Sequence, residues 1–397
     1  MKALNNNAHP LESLLQQHCP NGVEFRELGE LCEINGGKLN ANKAQAKGLY
    51  EFFTYDYNNP KFVDNYAWDT EALIICKKDN GENPCRYFNG KFNAFQWMRI
   101  LHSFKNEANI HYIKYYFNAI FMQFLQTNSI NISLPYIAIE TIKKFQIPLP
   151  PLEIQQKIVE ILDAFTELQA ELEAELEARL KQYHYYRNKL LSHDELENRT
   201  AKSRNDSDPT PIVPYVRLGE VCEKVFAGGD LPKEYSKDKK PSGEFLYPIY
   251  SNGSDENSLY GFSKTYRIDA EAVTISARGT IGFHTTREAK FTPIVRLITL
   301  IPNLNKITNR FLNYALYTTH IEKYGTSAGI PQLTIPMLEK ITIPLPPLSV
   351  QEEIVELLDK FDTLTNDLTS GIPAEIEARK KQYEYYRERL LSFIAKD

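Results

Sequence analysis

From Glu153 to Ser192, apolar side chains recur at Ile154, Ile158, Ile161, Phe165, Leu168, Leu172, Leu176, Leu180 and Tyr183. Steps of three and four residues put them on one stripe of a helix ~60 Å long, a coiled-coil-like seam with a stutter. Pro148 and Pro150-Pro151 stop the preceding strand and set the helix entry. A second stripe runs through Ile354, Leu357, Phe361, Leu364 and Leu368. It breaks at Ser370-Gly371-Ile372-Pro373 and restarts at Ala374, which predicts a kinked or two-piece helix. Elsewhere the periods are short. Ala72–Cys76 predicts a buried strand, Tyr87–Phe92 a hairpin, His111–Leu125 an aromatic helix, and Val273–Gly282 a strand-turn-strand. A long helix with a single apolar stripe needs a partner to be stable. Either the two helices pair antiparallel, or each folds back on its own domain.

The same elements occur twice. Leu134–Leu152 (LPYIAIETIKKFQIPLPPL) and Ile330–Leu348 (IPQLTIPMLEKITIPLPPL) agree at nine of 19 positions. The match continues into Ile158–Phe165 and Ile354–Phe361, and resumes at Gln182–Arg187 (QYHYYR) and Gln382–Arg387 (QYEYYR), each followed by Leu-Leu-Ser. The starts, Leu28–Glu33 and Leu218–Glu223, also match. A period of about 195 residues means two domain-sized copies rather than a solenoid. Gly36–Ser133 and Ala227–Gly329 show no convincing similarity, so one scaffold carries two different surfaces. Inside the first helix, Glu167–Ala170, Glu171–Ala174 and Glu175–Ala178 are tandem tetrapeptides of strong helix formers. Each adds one step of ~6 Å to a spacer.

Composition adds bounds. The 397 residues carry a net charge of −5, which speaks against a nucleic-acid partner only if charge is spread evenly. It is not. The regions 23–146 and 213–342 carry +1 and +3, while 153–192 and 347–397 carry −3 and −4. Basic residues mixed with aromatics and amides, such as Arg86, Gln96, Trp97 and Arg99, are compatible with nucleic-acid contact. No apolar run reaches the length of a membrane span, and the start lacks a signal core, which points to a cytoplasmic chain. Five cysteines without a C-x-x-C pair read as reduced thiols with no metal site. No P-loop, nucleophile elbow, H-E-x-x-H or N-P-P-aromatic motif occurs. One nuclease-like fragment remains, Asp269 with Glu288 and Lys290, and it has no counterpart in the first copy. The exposed turn Arg278-Gly279-Thr280 suits phosphate or base-edge contacts.

The duplicated IPLPPL-x-x-Q block leading into I-V-E-[IL]-L-D-x-F and the duplicated Q-Y-x-Y-Y-R resemble the DNA-specificity subunit of type I restriction–modification enzymes. Cys19–Phe25, Glu71–Ile75 and Ile275–Gly282 fit that resemblance. The first helix departs from the second in lacking the Ser-Gly-Ile-Pro break. The resemblance implies an α+β protein with two globular α/β target recognition domains in tandem. A long helix follows each, and the two helices pair as an antiparallel coiled coil. The implied layout is an N-terminal segment 1–22, recognition domain 23–150, spacer helix 151–192, linker 193–212, recognition domain 213–346 and spacer helix 347–397.

Each domain would read one half of a bipartite asymmetric site on double-stranded DNA. The helices would set the spacer and dock two modification (methyltransferase) subunits, beside restriction/translocase subunits. S-adenosylmethionine, ATP and Mg would belong to those partners, and this chain would carry no catalytic residue. The expected DNA contacts are Lys77, Lys78, Lys91, Trp97, Tyr250, Asn252, Ser276, Arg278 and Thr280. The expected docking and spacer positions are Leu168, Leu172, Leu176, Tyr183, Tyr186, Leu364, Leu368, Tyr383 and Tyr386. Two other readings are a stand-alone metal-dependent nuclease and a coiled-coil scaffold without DNA affinity.

Overall fold

The computed structural model describes residues 17, 19–55, 59–75, 85–127, 137–203, 213–325, 332–367 and 370–393. The chain divides into two compact units, 1–173 with 375–397, and 174–374. These units are not the two sequence copies, because each borrows a helix from the other copy.

In the first unit, β1 (Glu24–Glu27) leads through a single turn, α1 (Leu28–Leu31), into β2 (Glu33–Gly36). Next come β3 (Tyr50–Phe53), β4 (Lys61–Val63), β5 (Trp68–Ile75), β6 (Cys85–Ala94) and β7 (Arg99–His102). Then follow α2 (Ile110–Thr127), α3 (Ile139–Lys143) and β8 (Gln146–Leu149), which pairs with β1. The six-stranded sheet has the order β2-β7-β5-β6-β3-β4, with β3–β6 its parallel pair. Alternate residues of β5 face opposite ways. Leu73 and Ile75 join the core beneath α2, while Ala72 and Ile74 join a second cluster with Phe52, Trp68 and Phe92. Burial on both faces explains why the strand reads as an unbroken apolar run.

The hairpin expected at Tyr87–Phe92 is absent. That stretch lies within β6, whose residues from Cys85 to Phe92 pair with Ile75 to Trp68 of β5. Gly90 sits within the strand at φ +133°, a backbone conformation that favours glycine. The Asn-Gly signal was real, but the long register with β5 outweighs it.

The helix α4 (Leu152–Leu190) runs from the first unit into the second and is followed by α5 (His193–Ser203). The second unit repeats the plan with β9 (Tyr215–Arg217), α6 (Leu218–Val221), β10 (Cys222–Ala227), β11 (Tyr235–Ser236) and β12 (Tyr247–Tyr250). It continues with β13 (Leu259–Ser263), β14 (Ala272–Ile275), β15 (His284–Arg287), β16 (Thr292–Pro293) and β17 (Ile298–Pro302). Finally come α7 (Asn309–Leu316), α8 (Ile335–Leu338), β18 (Thr342–Pro344), α9 (Leu348–Asn366) and α10 (Ile372–Leu391). Its sheets run β10-β17-β14-β15 and β11-β13-β12-β16, with β12–β16 parallel and β9 paired to β18. Joining β15 to β16 end to end reproduces the order of the first sheet, with β6 as one strand where the second unit has two and β11 as an added edge strand. Two regions without sequence similarity therefore share one topology.

The expected break between α9 and α10 is present. A Cβ on Gly371 would stand 2.5 Å from the Thr363 carbonyl oxygen, so glycine is required there. α10 begins at Ile372, two residues before the expected Ala374, because Pro373 fits the first helical turn.

The helices close the cores crosswise. In the first unit, Ile154, Ile158 and Leu162 of α4 share a core with Leu390 and Leu391, flanked by Tyr383 and Tyr386. In the second, Ile354 and Leu358 of α9 share a core with Tyr183 and Leu190 of α4. Phe165 stacks on Tyr386 at 5.3 Å, and Tyr186 on Phe361 at 5.4 Å.

One glutamine locks each helix start to its domain. Gln155 is fully buried; its Nε2 donates to the carbonyls of Glu107 (2.9 Å) and Pro150 (2.8 Å), and its Oε1 accepts the Asn109 N–H (2.8 Å). Asn109 in turn caps α2 by accepting the N–H groups of His111 and Tyr112. Gln351 repeats this with Lys306 (2.9 Å), Pro346 (2.8 Å) and the N–H of Thr308 (2.9 Å), which caps α7. The glutamine of IPLPPL-x-x-Q is thus a buried brace.

Candidate nucleic-acid interface

In the second unit three loops meet at one end of the strands, after β12, after β14 and between β16 and β17. The Ser276 hydroxyl accepts from the Gly253 N–H (3.1 Å) and donates to the Gly253 carbonyl (3.0 Å). Asn252 accepts the Ala277 N–H (2.7 Å) and donates to the Val295 carbonyl (2.6 Å). Arg278 and Thr280 are exposed on the β14–β15 turn, shaped by Gly279 at φ +71° and Gly282 at φ +84°. Arg278 donates to Gln332 Oε1 at 3.0 Å. The strand after this turn, His284–Arg287, lies beyond Gly282, since the turn carries both glycines.

Tyr250, at the foot of the cluster, is half-buried with the Arg287 guanidinium 3.7 Å from its ring centroid. Arg287 also donates to Thr274 (3.1 Å) and Ser258 (2.8 Å), and desolvation pulls its pKa below the usual guanidinium range. The structure thus brings Asn252, Ser276, Arg278 and Thr280 together, with Tyr250 below. It corrects the role of Ser276, which is 1% exposed with its hydroxyl spent on Gly253, so it shapes the loop instead of facing a ligand. Hydroxyl spacing along a strand gives no sign of which face is buried, so sequence alone did not show this.

In the first unit, Lys91 lies on β6, 3.8 Å from Asp69 and 4.9 Å from the Tyr66 ring centroid. Trp97 is 39% exposed on the β6–β7 turn. Lys77 and Lys78 fall outside the described residues. Arg99 is buried and donates to the carbonyls of Ile137 (2.8 Å) and Met98 (2.9 Å), which makes it an internal brace.

Among the helix positions, Leu168, Leu172 and Leu176 are half-buried, Leu364 is 38% exposed, and Leu368 falls outside the described residues. Tyr183, Tyr383 and Tyr386 are turned inward onto the two cores, and Tyr186 is half-buried against Phe361. The outward rings of each Q-Y-x-Y-Y-R are Tyr185 and Tyr385, 61% and 51% exposed. The motif spacing contained this choice, but only packing shows which ring of the helical turn faces out.

The nuclease-like fragment gains no support. Asp269 accepts from the Tyr266 hydroxyl (3.2 Å), and Lys290 lies 5.9 Å from that ring's centroid. No group of three His, Cys, Asp or Glu among the described residues could hold a metal ion. No helix among the described residues is long and apolar enough to cross a membrane.

A cleft of ≈ 890 Å³ in the second unit is lined by Tyr183, His284, Arg310, Asn313, Tyr317 and Asp362. His284 Nδ1 lies 2.8 Å from Asn313 Oδ1, and the ring packs edge-on against Tyr317. Burial pushes its pKa down to about 4, helped by the charge of Arg187 and opposed by Asn313 and Glu322. Between about pH 6.5 and 4 the unfolded chain binds a proton that the folded one refuses, so stability falls as pH drops through that window. We expect a loss of roughly 2–3 kcal/mol by pH 4. Urea unfolding at pH 7 and 4.5 measures it, and His284→Gln flattens the dependence. Equal acid losses in both proteins would refute this assignment.

The family model described as the type I restriction modification DNA specificity domain matches residues 20–182 and again 213–378. A protein of Mycoplasma pneumoniae named as a type I specificity subunit is 36% identical, covering 84% of this chain and 96% of its own. One of Haemophilus influenzae, named as a type I restriction enzyme specificity subunit, is 32% identical over 98% of this chain and 100% of its own. The solved S subunit of a type I restriction–modification system from M. genitalium shares the fold, with a TM-score of 0.58 at 20% identity, covering 98% of this chain and 96% of that one. With its domain matched twice across most of its length, this chain belongs to the DNA-specificity family of type I restriction–modification systems.

Proposed function

We propose that the two sheet domains each read one half of a bipartite, asymmetric site on double-stranded DNA. On this reading, the helices α4, α9 and α10 set the distance between the halves. The observation that carries it is one strand order used twice beneath unlike loops. Base readout needs loop-borne side chains on a rigid base, and each sheet supplies one. In the second domain Arg278 and Thr280 face the DNA, Asn252 and Ser276 hold their loop, and Tyr250 supports it. In the first, Lys91 and Trp97 face it, and Lys77 and Lys78 are assigned as further contacts. The domain limits we assign are 23–150 and 213–346, with spacer helices 151–192 and 347–397.

Tyr385 with Leu168 and Leu172 in the first unit, and Tyr185 with Leu176 and Leu364 in the second, are the positions we assign to docking of the two modification subunits. Those subunits bind S-adenosylmethionine and methylate DNA; restriction subunits bring ATP-driven, Mg-dependent cleavage. This chain supplies specificity and no catalysis, and it works in the cytoplasm.

The test is Arg278→Ala in the complex with its modification subunits, read by methylome sequencing and by gel shift at stated salt. Specificity should relax at one half-site by about 1–3 kcal/mol at a single base position. Equal loss at both halves would mean misfolding or a general phosphate role. A wild-type complex that shifts no duplex would leave the scaffold reading standing.

A further inference from the structure

The chain turns at Gln96–Trp97 between β6 and β7, and at Val295–Arg296 between β16 and β17. Nothing in the sequence relates these turns, yet three of their backbone bonds correspond. Gln96 N–H donates to Leu39 (2.8 Å) where Val295 N–H donates to Gly229 (3.0 Å). Met98 N–H returns to Phe95 (2.8 Å) as Leu297 N–H does to Ile294 (3.0 Å). Gly37 N–H donates to Met98 (3.0 Å) as Gly228 N–H does to Leu297 (2.8 Å). Both glycines are forced by close approach. A Cβ on Gly37 would stand 1.9 Å from the Phe95 carbonyl oxygen, and one on Gly228 2.7 Å from the Pro293 carbonyl carbon. Each domain therefore clamps a two-residue tip against its own backbone.

The second tip is strained. Val295 has φ +52° and Arg296 φ +61°, in the left-handed region that a β-branched side chain strongly disfavours. Asn-Gly is the usual occupant of such a turn. Burial does not compensate, because Val295 is 55% exposed and Arg296 is exposed with no ion pair among the described residues. Strain of this kind persists where the surroundings impose it, and it gathers at ligand-binding elements. The brace is Asn252, which bonds the Val295 carbonyl and the Ala277 N–H, one residue from Arg278. The first tip presents Trp97, 39% exposed, at the equivalent place.

We propose that these two tips are base-reading elements. Arg296 donates its planar fork to a base edge in one half-site with Val295 against the neighbouring apolar edge, and Gln96–Trp97 serves the other half-site. The fork matches guanine O6 and N7, and a glutamine amide matches adenine. The inference rests on the DNA reading above and adds the residues that set specificity.

The experiment uses the full chain with its modification subunits, methylome sequencing, and binding to duplexes carrying single base changes. Arg296→Ala should lower discrimination at one position of one half-site on the order of tenfold to hundredfold, leaving the other half unchanged. Arg296→Lys keeps the charge and loses the fork, so it should keep affinity and lose the same discrimination. Trp97→Ala should alter the other half-site. Val295→Gly, which fits the left-handed φ, should match or exceed the wild-type melting temperature while shifting selectivity. An unchanged recognition site in Arg296→Ala overturns the proposal. So does a uniform loss of affinity with a shallower salt dependence, the mark of a phosphate contact. Failure of the wild-type complex to discriminate sequences would instead overturn the underlying function.

Discussion

Deletion of Glu175–Ala178 is expected to shorten the gap between the two half-sites by one to two base pairs while leaving both half-sites intact. The segment is one turn of α4, ~6 Å at ~1.5 Å per residue, against ~3.4 Å per base pair. It lies where α4 passes from the first compact unit to the second, and only Leu176 within it is half-buried. The ion pairs lost are Arg179–Glu175 (3.4 Å) and Lys181–Glu177 (2.6 Å), both exposed. The repeat restores them. After deletion, Glu171 stands four residues before Arg179, and Glu173 four before Lys181. Exposed pairs of this kind matter little to stability in any case. The change is therefore one of length with little cost in folding. Methylome sequencing of cells carrying the deletion reads the spacer directly, and an unchanged spacer with retained activity would end the ruler idea.

The largest stability effect should come from Gln155→Leu or Gln351→Leu. Each leucine approximates the volume but leaves one N–H and two carbonyls of the domain-to-helix junction without partners. Stranding buried groups costs about 1–3 kcal/mol each, so a loss on the order of 3–5 kcal/mol is expected. For a unit of this size that is a fall of roughly 10 °C in melting temperature. The two substitutions should behave alike, because both glutamines are 0% exposed and make the same three bonds. Lys157→Ala, on the exposed side of the same turn, serves as control and should move stability by no more than about 0.5 kcal/mol. Thermal unfolding measures all three. A Gln155→Leu protein that melts with the control would show that the brace contributes nothing.

Local patterns carried much of this molecule. The stripe from Ile154 to Tyr183 predicts α4, and Ser370–Pro373 predicts the division between α9 and α10, since periodicity and proline act within a few residues. The duplication, the family and the exposed turn at Arg278 were legible for the same reason. Failures came where a distant partner overrode a local signal. Asn89-Gly90 reads as a turn until β5 lies beside it, and Arg99 reads as a surface cation until the Ile137 carbonyl accepts from it. Ser276 belongs to this class.

Sequence alone established two copies of one scaffold, their helices and their family, because these rest on repeated blocks and helical spacing. Tertiary structure alone decided that each core is closed by the start of its own helix and the end of the other's. It also revealed that two dissimilar regions share one strand order, and that Gln96–Trp97 and Val295–Arg296 occupy equivalent places. The reason is physical. An element's type follows from neighbours three or four positions away. Its pairing is set by backbone hydrogen bonds and close packing between residues far apart in the chain, which unlike side chains satisfy equally well.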